Sequence, residues 1–219
     1  MASRRRSVTL LLARLRDAAT IAVMLAHAAL ALSLAVRVYD SYGLPAATLD
    51  KAHAAVDRIL KDAEIRVTWE TCPCGERVGP AELVVRISAA PAVSDPGSLG
   101  FSFVDVDRRA GTLATVFADR VRVLSRLAGA DEGELLGRAM AHEIGHLLLG
   151  THDHARSGLM RGRWDARDLQ RNQPWEWTLS RKDGAAMREA LVRRRRQDGG
   201  EGLRVELREP REIALSDGE

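Results

Sequence analysis

The chain has 219 residues, of which 46% are hydrophobic, with 33 basic and 30 acidic side chains and only two cysteines. The apolar share excludes a disordered chain, and two cysteines exclude a scaffold built on disulfides. The net charge of +3 is not spread evenly: the first 35 residues hold five arginines and one aspartate, which leaves the remainder slightly acidic, so the basicity does not point to nucleic acid.

Arg4, Arg5, Arg6, Arg14 and Arg16 precede an apolar run from Ala18 to Val36. This is the charge and hydropathy pattern of an export signal, with Ala29-Leu30-Ala31 as a small-residue cleavage site, or of an uncleaved anchor. Either way, positive-inside logic places the rest of the chain outside the cytoplasm: secreted, periplasmic or anchored facing outward. Residues 1–35 are therefore set apart, and about 155 residues remain before the C-terminal tail, enough for one domain with its own core.

Leu34 to Tyr39 alternates and is valine-rich, which predicts a first strand. Thr48 to Ala63 places Leu49, Ala52, Val56, Ile59 and Leu60 at helical spacing. Ile65–Trp69, Glu82–Ser88, Leu99–Val104 and Leu113–Phe117 read as four further strands, with Leu83, Val85 and Ile87 on one face of the third. Cys72-Pro73-Cys74 lies in a loop and lacks the second pair that a four-ligand metal site needs. Pro91 to Gly100 has the proline, glycine and serine of a mobile loop. Val121–Ala128 predicts a helix, as do Trp164–Arg171 and Ser180–Arg195. Arg193 to Arg196 reads as a solvated helix end, and residues 197–219 as a flexible charged tail. The order of strand, helix, several strands and then helices is an α+β arrangement, with one domain spanning 36–196.

Four of the six histidines fall between 142 and 154. His142-Glu143-Ile144-Gly145-His146 is an H-E-x-x-H sequence inside a helical apolar pattern that runs from Leu135 to Leu149 and stops at Gly150. Residues four apart share a helix face, so both imidazoles can address one zinc ion. Zinc brings the pKa of its water to about 7. Glu143, at the edge of that face, would take the proton and pass it to the leaving amine. A helix cannot bend back to supply a third ligand, but a chain that turns at Gly150 can, and His152, Asp153 and His154 follow that turn.

These residues resemble the metzincin class of zinc peptidases, and more closely exported bacterial proteins that carry HEIGHLLLG, a later histidine and a Gly-hydrophobic-Met turn, here Gly158-Leu159-Met160. The resemblance spans roughly residues 36–190, with its specific part at 142–160. It implies a zincin-like fold: a twisted mixed sheet, a backing helix and an active-site helix, with Met160 in the turn beneath the metal. It also implies an edge strand beside the cleft, assigned to Leu99–Val104. The consensus count selects His152 as third ligand, the closer bacterial pattern selects His154, and a one-residue shift selects Asp153; His154 is preferred. The tyrosine that metzincins often carry near the methionine turn has no counterpart, since Arg161, Arg163 and Trp164 follow instead. The expected function is a zinc metalloendopeptidase with His142, His146 and His154 as ligands and Glu143 as general base. Its partners would be peptide or protein substrates, with no nucleic acid and contact with membrane only through the N-terminal segment. The rival expectations are a zinc hydrolase acting on a non-protein amide such as cell-wall material, and a zinc-stabilised binding module without catalysis.

Overall fold

Five short runs of alternating or continuous apolar residues pair into one sheet in the computed structural model, which describes residues 32–71, 79 and 82–205. The strands are β1 (Ser33–Asp40), β2 (Arg66–Thr71), β3 (Glu82–Ser88), β4 (Gly100–Asp105) and β5 (Ala110–Phe117), arranged β2-β1-β3-β5-β4. β1 runs parallel to both β2 and β3, and β3 parallel to β5, whereas β4 runs antiparallel to β5. Parallel neighbours need a crossover, and α1 (Ala46–Asp62) supplies the one between β1 and β2. The β4–β5 hairpin then turns the chain back so that β4 closes one edge of the sheet.

The core has its expected period. Leu34, Val36 and Val38 of β1 and Leu83, Val85 and Ile87 of β3 are buried with Ala114 and Val116 of β5. Ala52, Val56, Ile59 and Leu60 of α1 join them in one cluster. The helices that follow are α2 (Ala118–Ala128), α3 (Glu132–Leu149), α4 (Ala166–Arg171), a 3₁₀ turn (Pro174–Trp177) and α5 (Arg181–Val205). α3 carries apolar residues around most of its circumference and is buried over nearly its whole length, as expected of a helix packed on several sides at once. The α+β class and the mixed sheet agree with the sequence reading.

The structure corrects four details. The folded unit begins before residue 36, because Leu34 is fully buried in β1 and a boundary at 35 would cut that strand. The basic run at 193–196 is not simply a solvated helix end. Arg194 is buried and donates to the carbonyls of Gly111 and Leu147, while Arg195 donates to Ser33 O at 2.7 Å. α5 extends to Val205, past the start of the expected tail, because charged composition reports solvation and not backbone conformation. Trp164 also stands outside α4, which starts only after Asp165. Asp165 accepts the Asp168 N–H at 2.8 Å, and Asp168 returns the contact to the Asp165 N–H at 3.0 Å. Among the described residues, no helix is long and apolar enough to cross a membrane. The expected leader up to residue 31 and Cys72-Pro73-Cys74 lie outside the described residues.

α1 backs α3 at very short range. A Cβ on Gly137 would lie 2.4 Å from the carbonyl oxygen of Ala52 and 2.6 Å from Ala55 Cβ. Gly137→Ala gains about 1 kcal/mol of helix propensity but forces the helices apart, and overpacking costs about 1–3 kcal/mol. The expected result is a net loss of stability and a lower urea midpoint; an unchanged or higher midpoint would mean that the two helices separate freely.

Candidate metal centre

α3 begins where Asp131 accepts the Glu134 N–H at 3.0 Å, and it ends at Gly150, whose φ of +66° is the left-handed conformation glycine adopts without cost. The Gly150 N–H caps His146 O at 2.9 Å. A side chain at Gly150 would also strike the Arg109 carbonyl at 2.4 Å, so both backbone angle and space require glycine here. The reversal sends the next residues back along the face that carries His142 and His146.

The returning chain fixes both imidazoles. His142 Nδ1 lies 2.8 Å from Leu159 O, and His146 Nδ1 lies 2.8 Å from Thr151 O. A carbonyl oxygen only accepts, so each Nδ1 must carry its hydrogen and donate it. In the neutral rings each Nε2 therefore bears a lone pair. These two Nε2 atoms are 3.0 Å apart, and His154 Nε2 is 3.3 Å from that of His146. The candidate donor nitrogens of the three residues all fall within 4.8 Å of one another. Burial pushes the His142 imidazolium down to about 4 and lowers His146 as well, so protonating a ring to bridge the lone pairs is disfavoured. What suits lone pairs converging this way is a cation. Zinc–imidazole bonds of about 2.0–2.1 Å at tetrahedral angles place nitrogens roughly 3.3 Å apart, close to the observed spacing. The residues fit a divalent metal of the kind that imidazole binds.

The structure thus brings His142, His146 and His154 together and leaves His152 and Asp153 outside the group. His154 is exposed, but its segment is tied down: the Ala155 N–H donates to Met160 O at 2.8 Å, and the Leu159 N–H to Thr178 O at 3.0 Å. Met160 is buried against Gly145, where a Cβ would lie 2.6 Å from the methionine sulfur. Trp164 stands edge-on to His142 with ring centres 5.5 Å apart.

Glu143 is buried on the side of α3 that faces β4. Ser102 Oγ lies 2.7 Å from Glu143 Oε2 and 2.9 Å from the Glu143 backbone oxygen. Burial pushes the carboxyl up to about 7, against the pull of the Ser102 hydrogen bond. Gly100 leaves the carboxylate its room, since a Cβ there would be 3.0 Å from Glu143 Oε1 and 2.5 Å from Thr115 O. These residues share an open cleft of about 310 Å³, walled by β4 on one side and by the segment from Arg161 to Trp164 on the other. An exposed Arg163–Asp95 ion pair at 3.6 Å links the two rims. Arg161 is engaged elsewhere, with Asp168 at 3.5 Å and Glu176 at 3.7 Å. Ser102 and Gly100 were not singled out from the sequence. A small residue within a strand carries no local signal of what it faces 41 residues away.

No family model and no curated protein matches the chain. Among solved structures it is similar to archaemetzincin from Methanopyrus kandleri, with 15% identity, 73% of this chain and 95% of that chain covered, and a TM-score of 0.48. It is also similar to metalloproteinase-II from Bacteroides fragilis, with 14% identity, coverage of 73% and 53%, and a TM-score of 0.43; the chain spans about half the length of that protein. At these scores the chemistry of the site rests on its own geometry.

The positions of His152 and His154 generate a direct prediction. His154→Ala should weaken Zn²⁺ binding by more than the roughly 10–100-fold typical of losing an outer partner, whereas His152→Ala should keep the wild-type stoichiometry. Equilibrium dialysis with elemental analysis reads both; the reverse pattern would make His152 the third ligand.

Proposed function

We propose that the chain is a zinc-dependent hydrolase of peptide bonds, with His142, His146 and His154 as zinc ligands and Glu143 as general base and then general acid. The reading rests on one observation above all: three converging imidazole nitrogens share an open cleft with a buried carboxylate one residue from the first of them. Three protein donors leave a tetrahedral metal one open position, which distinguishes catalytic from structural sites. A purely structural site would draw a fourth protein ligand from nearby, yet His152 stays outside the group. Such a site also has no use for a buried carboxylate beside it.

Zinc, when bound, supplies Lewis acidity that polarises the scissile carbonyl and makes water nucleophilic near neutral pH. The chain supplies the remainder. The Nδ1–H bonds to Leu159 O and Thr151 O hold the two helical imidazoles in the tautomer that presents Nε2. The Glu143 carboxylate accepts the proton from water and delivers it to the departing nitrogen. Among the described residues β4 is an edge strand paired only with β5, and Leu99 to Ser102 line the cleft. Its free edge suits an extended peptide, which binds such strands through backbone hydrogen bonds. This favours a peptide over other amides.

Zinc content of the full chain, followed by a quenched-fluorescence peptide library run beside a cell-wall digest, tests this reading. Hydrolysis of the digest alone would move the substrate to non-protein amides, and zinc without hydrolysis of either would leave a binding module. Glu143→Gln should retain about one zinc per chain yet lose at least ~100-fold in rate. Near-wild-type turnover in that variant would remove Glu143 from the mechanism.

A further inference from the structure

We infer that Ser102 is a positioning residue for Glu143, holding its carboxylate in place through both halves of a proton-transfer cycle. The inference rests on the hydrolase reading above. Both side chains are buried, and the hydroxyl of Ser102 on β4 reaches across to α3 with two acceptors in range, Oε2 at 2.7 Å and the backbone oxygen of Glu143 at 2.9 Å. That backbone oxygen already belongs to the hydrogen-bond ladder of α3, so the carboxylate is the acceptor in greater need of the proton. Among the described residues, no basic side chain forms an ion pair with Glu143 at 4.0 Å or less.

The choice of a hydroxyl has a chemical reason. An arginine or lysine in this place would hold the carboxylate ionised and weaken it as a base. A hydroxyl orients it without adding charge. While Glu143 is ionised, the Oγ–H donates to Oε2. When the other oxygen, Oε1, takes up a proton, Oε2 becomes the carbonyl oxygen of the acid and goes on accepting from the same Oγ–H. One hydrogen bond between the two side chains survives in each state, so neither half of the cycle leaves a buried polar group unpaired. On the opposite side, Gly100 sets the space for Oε1. β4 would then have two tasks in one strand: its edge faces the cleft, and its buried side chain orients the base.

The test uses the full chain loaded with zinc, a peptide found to be cleaved in the library, and the variants Ser102→Ala, Ser102→Thr, Glu143→Gln and the Ser102→Ala/Glu143→Gln pair. Ser102→Ala should lower kcat about 10- to 100-fold, the usual scale for a misplaced catalytic group, with KM and zinc content unchanged. Ser102→Thr, which keeps the hydroxyl, should recover most of the loss. In the Glu143→Gln background, Ser102→Ala should cost nothing further. Wild-type kcat in Ser102→Ala, or an equal loss in both backgrounds, overturns the inference. If the wild-type protein cleaves neither peptides nor the cell-wall digest, the hydrolase reading fails separately. The contact is then judged by urea unfolding of the wild type, Ser102→Ala, Glu143→Gln and the pair: non-additive changes in midpoint uphold it, and additive ones overturn it.

Discussion

Two buried imidazoles that cannot hydrogen-bond to each other are the constraint on which the rest of this molecule depends. His142 and His146 lie one turn apart on α3, each with its Nδ1–H committed to a carbonyl of the returning chain, so their Nε2 lone pairs meet at 3.0 Å. Each arrangement that would relieve the repulsion is blocked. Turning a ring would orphan a buried carbonyl, and protonating one is opposed by burial. A cation among the Nε2 atoms would relieve the repulsion, so this candidate metal site lies in the backbone path as well as in the ligands.

That path is why the rest of the fold has its shape. α3 must be rigid and buried, so it is enclosed by α1 on one side and by β4 and β5 on another, with Arg194 from α5 reaching the carbonyls of Gly111 and Leu147 near its C-terminal end. A guanidinium there interacts favourably with the negative end of the helix and ties it to β5. Close packing of backbone on backbone then demands glycine. Gly137 admits α1, Gly145 admits the Met160 side chain, and Gly150 lets the chain reverse against Arg109. The glycines of the H-E-x-x-H helix belong to the construction of the site as much as the histidines do.

Much of this was legible in the sequence, because it is written in local periods. The bounds of β3, Glu82–Ser88, were read without error, and the buried faces of β1 and α1 follow from period-2 and 3.6-residue patterns. The helix that carries His142 and His146 and its glycine stop were equally plain. What escaped depends on contacts far along the chain. Ser102 looks like any strand serine until β4 is set beside α3. Arg194 looks like one of four solvated arginines until the burial of α5 selects it and leaves Arg193 and Arg196 outside. The expected start of α4 at Trp164 failed because apolar character was taken for helix, whereas the tryptophan is used as a wall of the site and the Asp165–Asp168 capping box sets the helix start. Composition can count charges, but it cannot say which of them the tertiary fold will bury.

The electrostatics of the cleft tie these observations together. Glu143 is buried beside neutral imidazoles with a hydroxyl as its hydrogen-bond donor, and burial alone makes its ionised form costly, which is the direction its raised pKa records. A cation at the three nitrogens acts in the opposite sense, favouring the carboxylate, and the carboxylate in turn favours the cation. The two halves of the site are thus coupled: a cation among the imidazole nitrogens would relieve their lone pairs and offset the burial cost of the ionised carboxylate. An exposed ion pair such as Arg163–Asp95 does little in this balance, because water screens it. The balance is set within α3 itself and by the two segments that close on it, β4 with Ser102 and the returning chain from Gly150 to Met160.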